Sequence, residues 1–304
     1  VGAVGRVFIY EKPAGGWQDA AESSWLAINE EDFGVWGASN FGVTVALDGD
    51  TLAVGAPNEN RNGDSVGAGA VYVYTNPIGA GWDLRGRLTS SVFTKSFGYS
   101  VDVSGDTIVV GNWKDNQQRY PDQARAFVFT EPVDGWASTD EATGELLDVD
   151  GAALPGHLTT AAVDGDTIVV AAMTKASPDL AGACCVDGRV LLYQRPDAGW
   201  GDVAPSAVLS PAEESTNGWE ALGWDVDVDD GLVAAGDPTA GEGEGAVDLW
   251  RRPADGWGTA DEPLDVPAAQ RLGLTDAQGA IGAVPGDQLG MDVELDGVSV
   301  IAGA

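Results

Sequence analysis

The chain is short of the residues that catalysis and redox chemistry use most. Among 304 residues there is one histidine, and there are two cysteines and two methionines. With His157 alone, neither a Ser-His-Asp constellation nor a histidine metal cluster is available. No Gly-rich phosphate loop ending in Lys is present either. A carboxylate pair at glycosidase separation stays open, but in a chain this acidic chance pairs are common. On these grounds the chain is expected not to be an enzyme. The two cysteines are neighbours, Cys184 and Cys185, and so make no long-range staple within the chain. A strained vicinal disulfide serving as an apolar ligand platform, a bond to another chain, and a reduced pair all remain open.

Lysine is scarce as well, being found only at Lys12, Lys95, Lys114 and Lys175. With 48 acidic against 15 basic residues the net charge is −33. Phosphate binding needs a basic footprint, so nucleic acid is excluded as a partner. The acidic, lysine-poor composition resembles that of halophilic proteins, in which concentrated cations screen the self-repulsion. A secreted acidic protein that binds divalent cations is the other reading. No run of eighteen apolar residues exists, so no membrane span is expected. The chain opens at Val1 without a signal-peptide pattern, which is read as a mature product whose leader has been removed.

What the chain has is repetition. FGVTVALDGDTLAVGAP from Phe41 recurs in degenerate form as FGYSVDVSGDTIVVGN from Phe97, HLTTAAVDGDTIVVAA from His157, LGWDVDVDDGLVAAGD from Leu222 and LGMDVELDGVSVIAGA from Leu289. Val43, Val45 and Leu47 alternate with Thr44, Ala46 and Asp48, the period of a strand. The turn Asp48-Gly49-Asp50 then reverses the chain into a second β-rich run, because Gly tolerates the positive φ of a primed hairpin. A third strand follows each time: GAVYVYTNP from Gly69, ARAFVFTEP from Ala124, GRVLLYQRP from Gly188 and GAVDLWRRP from Gly245. Each of these is followed by Gly-Trp and another β-like run. One repeat therefore reads as four antiparallel strands, A to D, in about 55 to 65 residues. This is the pattern of a propeller blade.

The first residues, GAVGRVFIYEKPAGGW, align with strands C and D, while the last repeat supplies only A and B. The termini are thus expected to share one blade, with Val7 to Tyr10 antiparallel to Val298 to Ala302, which removes an open edge. The expected architecture is one all-β domain over residues 1–304, a five-bladed propeller. Its blades are 289–304 plus 1–40, 41–96, 97–156, 157–221 and 222–288.

Phe41-Gly42, the turn Leu47 to Asp50, Gly55-Ala56-Pro57 and the strand Ala70 to Tyr74 together resemble the FG-GAP repeat of integrin α-subunit propellers and their bacterial and archaeal relatives. The third full repeat departs from it, with His157-Leu158 for Phe-Gly and Ala171-Ala172-Met173 for Gly-Ala-Pro. Most such propellers have seven blades. The resemblance implies an extracellular, secreted or cell-surface location and an adhesive or scaffolding role. It also implies a calcium loop between strands B and C. The matching span holds Asn58, Asn60, Asn62 and Asp64, with amides in place of the carboxylates, so calcium would bind weakly. An Asn-rich turn capping its own backbone explains the same residues.

A second acidic set lies on strand A: Asp225, Asp227 and Asp229 in one repeat, Asp292, Glu294 and Asp296 in the next, and Asp102 earlier. These alternate with apolar residues and point into the channel, where they either recruit a cation or stand solvated with raised pKa values. Trp17, Trp82, Trp136, Trp200 and Trp257 recur at one point of the repeat and read as packing residues. Trp36 and Trp113 break that register and are candidates for ligand contact.

The function expected from all this is a non-catalytic adhesion, interaction or structural module, with a protein partner, a cell-surface component or a second copy as its target. A glycan-binding or glycan-active propeller is the alternative. Binding is expected on the face of the B–C loops, which carries the Asn-rich loop, Trp113, Tyr120 and the Cys184-Cys185 loop. The stretches Ala137 to Gly156 and Gly258 to Gln288 are expected to be long D-to-A insertions on the opposite face.

Overall fold

The computed structural model describes residues 5–17, 19, 21–28, 39–60, 67–77, 81–92, 94–113, 124–154, 158–174, 187–212, 221–241, 243–273 and 286–304. Every regular element among them is a strand. β1 (Val7–Ile9) pairs with β2 (Ser24–Leu26). β3 (Val45–Asp48), β4 (Thr51–Ala56), β5 (Ala70–Thr75) and β6 (Asp83–Leu88) form a four-stranded antiparallel sheet in chain order. β7 (Phe97–Ser104), β8 (Thr107–Asn112), β9 (Ala126–Thr130) and β10 (Gly144–Leu146) form the second such sheet. β11 (Leu158–Asp164), β12 (Thr167–Thr174), β13 (Asp187–Gln194) and β14 (Ala207–Ser210) form the third. β15 (Val226–Asp229), β16 (Leu232–Asp237), β17 (Ala246–Arg251) and β19 (Gln270–Gly273) form the fourth. β18 (Leu264–Pro267) is added in parallel to the outer edge of β14. β20 (Asp292–Asp296) and β21 (Ser299–Gly303) form a final hairpin. The fold is all-β, with sheets arranged as in a propeller.

The turns form for the reason the sequence gives. Gly49, Gly105, Gly165 and Gly297 all sit at φ between 53° and 57°, and the fourth blade reaches the same reversal with Asp230 and Gly231 at positive φ. A different constraint acts on the Gly of Phe97-Gly98. Its φ is +84°, and a Cβ there would lie 2.6 Å from the carbonyl oxygen of Ala70 on the preceding blade. Close approach of adjacent sheets therefore demands glycine.

The cores lie between sheets. Ala53, Val71 and Val73 of the first blade bury Val101 and Val103 of the second, with Phe97 and Phe129 edge to face at 6.0 Å between them. The same relation recurs between β12 and β15, where Val169 and Ala171 cover Val226 and Val228. Between β16 and β20, Leu232 and Ala234 cover Val293 and Leu295. One face of β7, β11, β15 and β20 is thus packed on the blade before it.

Two expectations are corrected by this arrangement. The stretches Ala137 to Gly156 and Gly258 to Gln288 are not D-to-A loops, since β10 lies in the first and β18 and β19 lie in the second. After Gly81-Trp82 the chain enters β6 directly, but after Gly135-Trp136, Gly199-Trp200 and Gly256-Trp257 it first touches the outer strand of the preceding blade in parallel, at Leu88 with Thr139, Leu146 with Val203, and β14 with β18. Only then does it return to complete its own blade. The recurring tryptophans anchor that crossing, with Trp136, Trp200 and Trp257 buried against the preceding blade. Trp17 is 65% exposed instead, because no preceding blade covers it.

The second correction concerns the ends. β1 bonds to β2 alone and β21 bonds to β20 alone, so the expected pairing of Val7 to Tyr10 with Val298 to Ala302 is not made. Apolar packing accounts for where each hairpin sits. Val7, Ile9 and Leu26 lie on the core of the first blade, whereas Val300 and Ala302 lie on the core of the fourth.

Candidate functional site

The five innermost strands, β3, β7, β11, β15 and β20, border one cavity of about 650 Å³. Its lining includes Asp102, Asp225, Asp227, Asp292 and Glu294, with Thr44, Ser100 and Thr160 beside them. Of the acids expected in the channel, these five line it, while Asp229 and Asp296 stand at the turns beyond the lining. Most of them act on backbone rather than on solute.

Asp102 accepts the N–H of Val163 from the next blade at 2.7 Å, and Asp225 accepts that of Val293 at 2.8 Å. Asp227 accepts the N–H of Leu295 at 2.6 Å. At the turn, Asp48 takes the N–H of Gly105, Ser104 that of Gly165, Asp164 that of Asp230, and Asp229 that of Gly297. One turn nearer the other end, Thr44 donates to the carbonyl of Gly98 and Thr160 to that of Gly223, each at 3.0 Å. Ser100 accepts the N–H of Ala161 at 3.0 Å. The amides concerned face away from their own hairpin partner, so each needs an acceptor from elsewhere. The neighbouring blade supplies it.

Burial disfavours the charged form of these acids. It raises Asp102 and Asp225 to about 7, despite the amides that favour the carboxylate. Burial raises Asp227 and Glu294 as well, and the carboxylates around them add to the shift. Among the described residues no group of three or more His, Cys, Asp or Glu is placed to hold a metal ion.

The Asn-rich loop is described only in part. Asn60 Oδ1 accepts the N–H of Gly67 at 2.9 Å, as a turn cap does, and the N–H of Asn58 donates to the carbonyl of Ser39. Asn62 and Asp64 lie outside the described residues. Between the two asparagines stands Glu59, a residue the spacing argument passed over. It is buried, accepts the Tyr72 hydroxyl at 2.6 Å and is bridged by Arg87, whose Nε lies 2.7 Å away. Burial, and the Glu59 carboxylate beside it, push the Tyr72 hydroxyl far above its ordinary range. Other arginine–carboxylate pairs are Arg125 with Glu145 in the second blade, Arg271 with Asp248 in the fourth, and Arg189 of the third blade with Asp148 of the chain after β10.

At the B–C end of the cavity the side chains are aromatic. Trp113, 47% exposed, packs on Tyr99 with ring centroids 5.5 Å apart and the rings tilted by 49°. Tyr99 and Trp224 pack partly buried on Met173 and Ala221. Trp113 is thus part of a cluster around the channel mouth. Trp36, Tyr120, Cys184 and Cys185 lie outside the described residues.

Comparison with known proteins agrees with the repeat. The FG-GAP repeat family matches residues 36–74 and 82–129. The chain therefore carries FG-GAP repeats on an all-β, propeller-like frame. No curated protein sequence matches it. Among solved structures, a Bombyx mori GH32 beta-fructofuranosidase, BmSUC1, in complex with sucrose, is similar at 10% identity and a TM-score of 0.34. That match covers 75% of this chain and 48% of the other, so the chain spans about half the length of that enzyme. The expectation that the chain is not an enzyme is withdrawn, because two carboxylates suffice for glycoside hydrolysis and scarcity of histidine does not bear on such chemistry. At this TM-score and identity the likeness concerns the fold alone and assigns the chain no activity.

Proposed function

We propose that the chain is a five-bladed propeller module of the cell surface or extracellular space that holds a protein partner, a cell-surface component or a second copy of itself. The observation that carries this reading is the cluster of Tyr99, Trp113 and Trp224 at the channel mouth, where a partly exposed aromatic surface rests on a frame fixed by hydrogen bonds between blades. Aromatic groups on a rigid support bind with little loss of conformational freedom, and they recur as anchors in protein interfaces. The negative charge supports a partner with a basic surface and an extracellular setting rich in cations.

The test is retention of the labelled chain on cell surfaces and on a glycan array, for wild type and Trp113→Ala. The reading predicts that retention on cells falls by about tenfold or more in the variant, the loss expected for an aromatic anchor. Unchanged retention would remove this face from consideration. Retention on particular glycans, lost in the same variant, would make the target a sugar instead.

A further inference from the structure

We infer that β20 and β21 form a preset dock for β3 of the same chain, in which Asp292, Glu294 and Asp296 accept the backbone N–H groups of Val45, Leu47 and Gly49. This rests on the five-bladed reading above and specifies its closing junction. The argument is one of register. In the preceding junction Asp225, Asp227 and Asp229 accept from Val293, Leu295 and Gly297, each acceptor bonding the residue after its own counterpart in the next repeat. The repeat places Asp292, Glu294 and Asp296 opposite Thr44, Ala46 and Asp48. The same rule then delivers them to Val45, Leu47 and Gly49. The amides of Val45 and Leu47 face away from β4, whose ladder runs through Ala46 with Ala53 and Asp48 with Thr51.

Exposure of apolar side chains gives an independent argument. Val101, Val103, Val226, Val228, Val293 and Leu295 are all buried against the blade before them. Their counterparts in the first blade, Val45 and Leu47, are 52% and 62% exposed. The residue that covers this position elsewhere is Ala53, Val169 or Ala234, and its counterpart on β21 is Ile301, 68% exposed. Phe8 and Tyr10, counterparts of Tyr72 and Tyr74, are half exposed in the same way, as is Trp17. Their counterparts lie on the preceding blade, which for them is the fourth, with Val247 and Leu249 on the side turned toward β20. The two ends therefore expose matching halves of one interface, and β3 and β20 already border the same cavity.

Val54 pairs with Tyr72 and Leu52 with Tyr74, so closure of this junction would bring Ala302 opposite Phe8 and Val300 opposite Tyr10, a pairing that β1 and β21 do not make in this structure.

Hydrogen exchange of single amides in the full chain, kept monomeric by sedimentation criteria, tests the inference. The amides of Val45, Leu47 and Gly49 should exchange at least about a hundredfold more slowly than unprotected chain, as hydrogen-bonded strand amides do. In the triple variant Asp292→Ala, Glu294→Ala, Asp296→Ala that protection should vanish, while Val293 and Leu295, held by Asp225 and Asp227, stay slow and show that the protein remains folded. Fast exchange of Val45 and Leu47 in wild type overturns the inference. So does protection that survives the triple variant, or protection seen only where dimers form, which would make a second copy the occupant. Slow amides at Val300 and Ala302 alongside fast ones at Val45 and Leu47 would mean that the ring closes without the acidic ladder. Fast exchange at all four would dismiss the five-bladed reading too.

Discussion

Asp102 on β7 accepts the backbone N–H of Val163 on β11 at 2.7 Å, a side chain of one blade satisfying the main chain of the next. An innermost strand has a hairpin partner on one side only, so half of its amides face the channel wall unpaired. Apolar packing holds adjacent sheets together, but it does not fix their relative height. The carboxylate and hydroxyl contacts do, because a slip of one residue would present side chains of the other face.

Removing that acceptor should destabilise the fold. Asp102→Ala leaves the Val163 amide buried without a partner, and the expected loss is about 1–3 kcal/mol. Asp102→Asn keeps an oxygen in place and should lose less than half as much. Urea unfolding of the two variants checks the order; equal losses would mean that packing, not the hydrogen bond, is what Asp102 supplies.

The channel acids also give stability a pH dependence of known sign. Asp102 and Asp225 have folded values near 7 against an ordinary value of 3.8, so between these the folded state binds more protons than the unfolded one. Their contribution is present at low pH and is lost as pH rises through about 7. The melting temperature should therefore be higher at pH 5.5 than at pH 8, at fixed and low ionic strength. The double variant Asp102→Asn, Asp225→Asn should flatten that difference. An unchanged slope in the double variant would place its origin elsewhere in the acidic surface.

Glu59 should be the most sensitive carboxylate of the first blade. Arg87→Met strands its charge in the interior, and breaking a buried pair from one side costs about 3–5 kcal/mol. Tyr72→Phe, which removes only the hydroxyl donor, should cost about 1–2 kcal/mol. Denaturant titration distinguishes them, and a smaller loss for Arg87→Met than for Tyr72→Phe would contradict the account.

Gly98 tests the spacing between sheets. Alanine there meets the Ala70 carbonyl at 2.6 Å and adopts φ +84°, so Gly98→Ala should lower stability by about 2 kcal/mol or more. Gly105→Ala, whose Cβ would meet nothing within 4 Å, carries only the turn strain of φ +55° and should cost less. Comparable losses at both positions would show that the approach of Ala70 is not what matters.

Strands A to C and their turns were legible because alternation and Asp-Gly or Gly-Asp turns are local. The crossings to the preceding blade were not. Leu264 to Val266 reads as an ordinary fourth strand, and nothing local says that it pairs in parallel with β14 before Gln270 to Gly273 completes the sheet. The alternating acids of strand A were found, but their role was not, since a neighbour's unpaired amide leaves no mark in sequence. Glu59 was hidden for a related reason. Its partners, Tyr72 and Arg87, stand 13 and 28 residues away, and only the pairing of β5 with β6 brings them together.

The most direct test of the proposed function compares two faces of the molecule. One variant carries Trp113→Ala with Tyr99→Ala at the B–C mouth; the other carries Asp261→Lys and Glu262→Lys, both exposed, at the turn before β18. Retention on cell surfaces, measured for both with wild type alongside, should fall by about tenfold in the first and stay within about twofold of wild type in the second. Loss in the second with retention kept in the first would contradict the account.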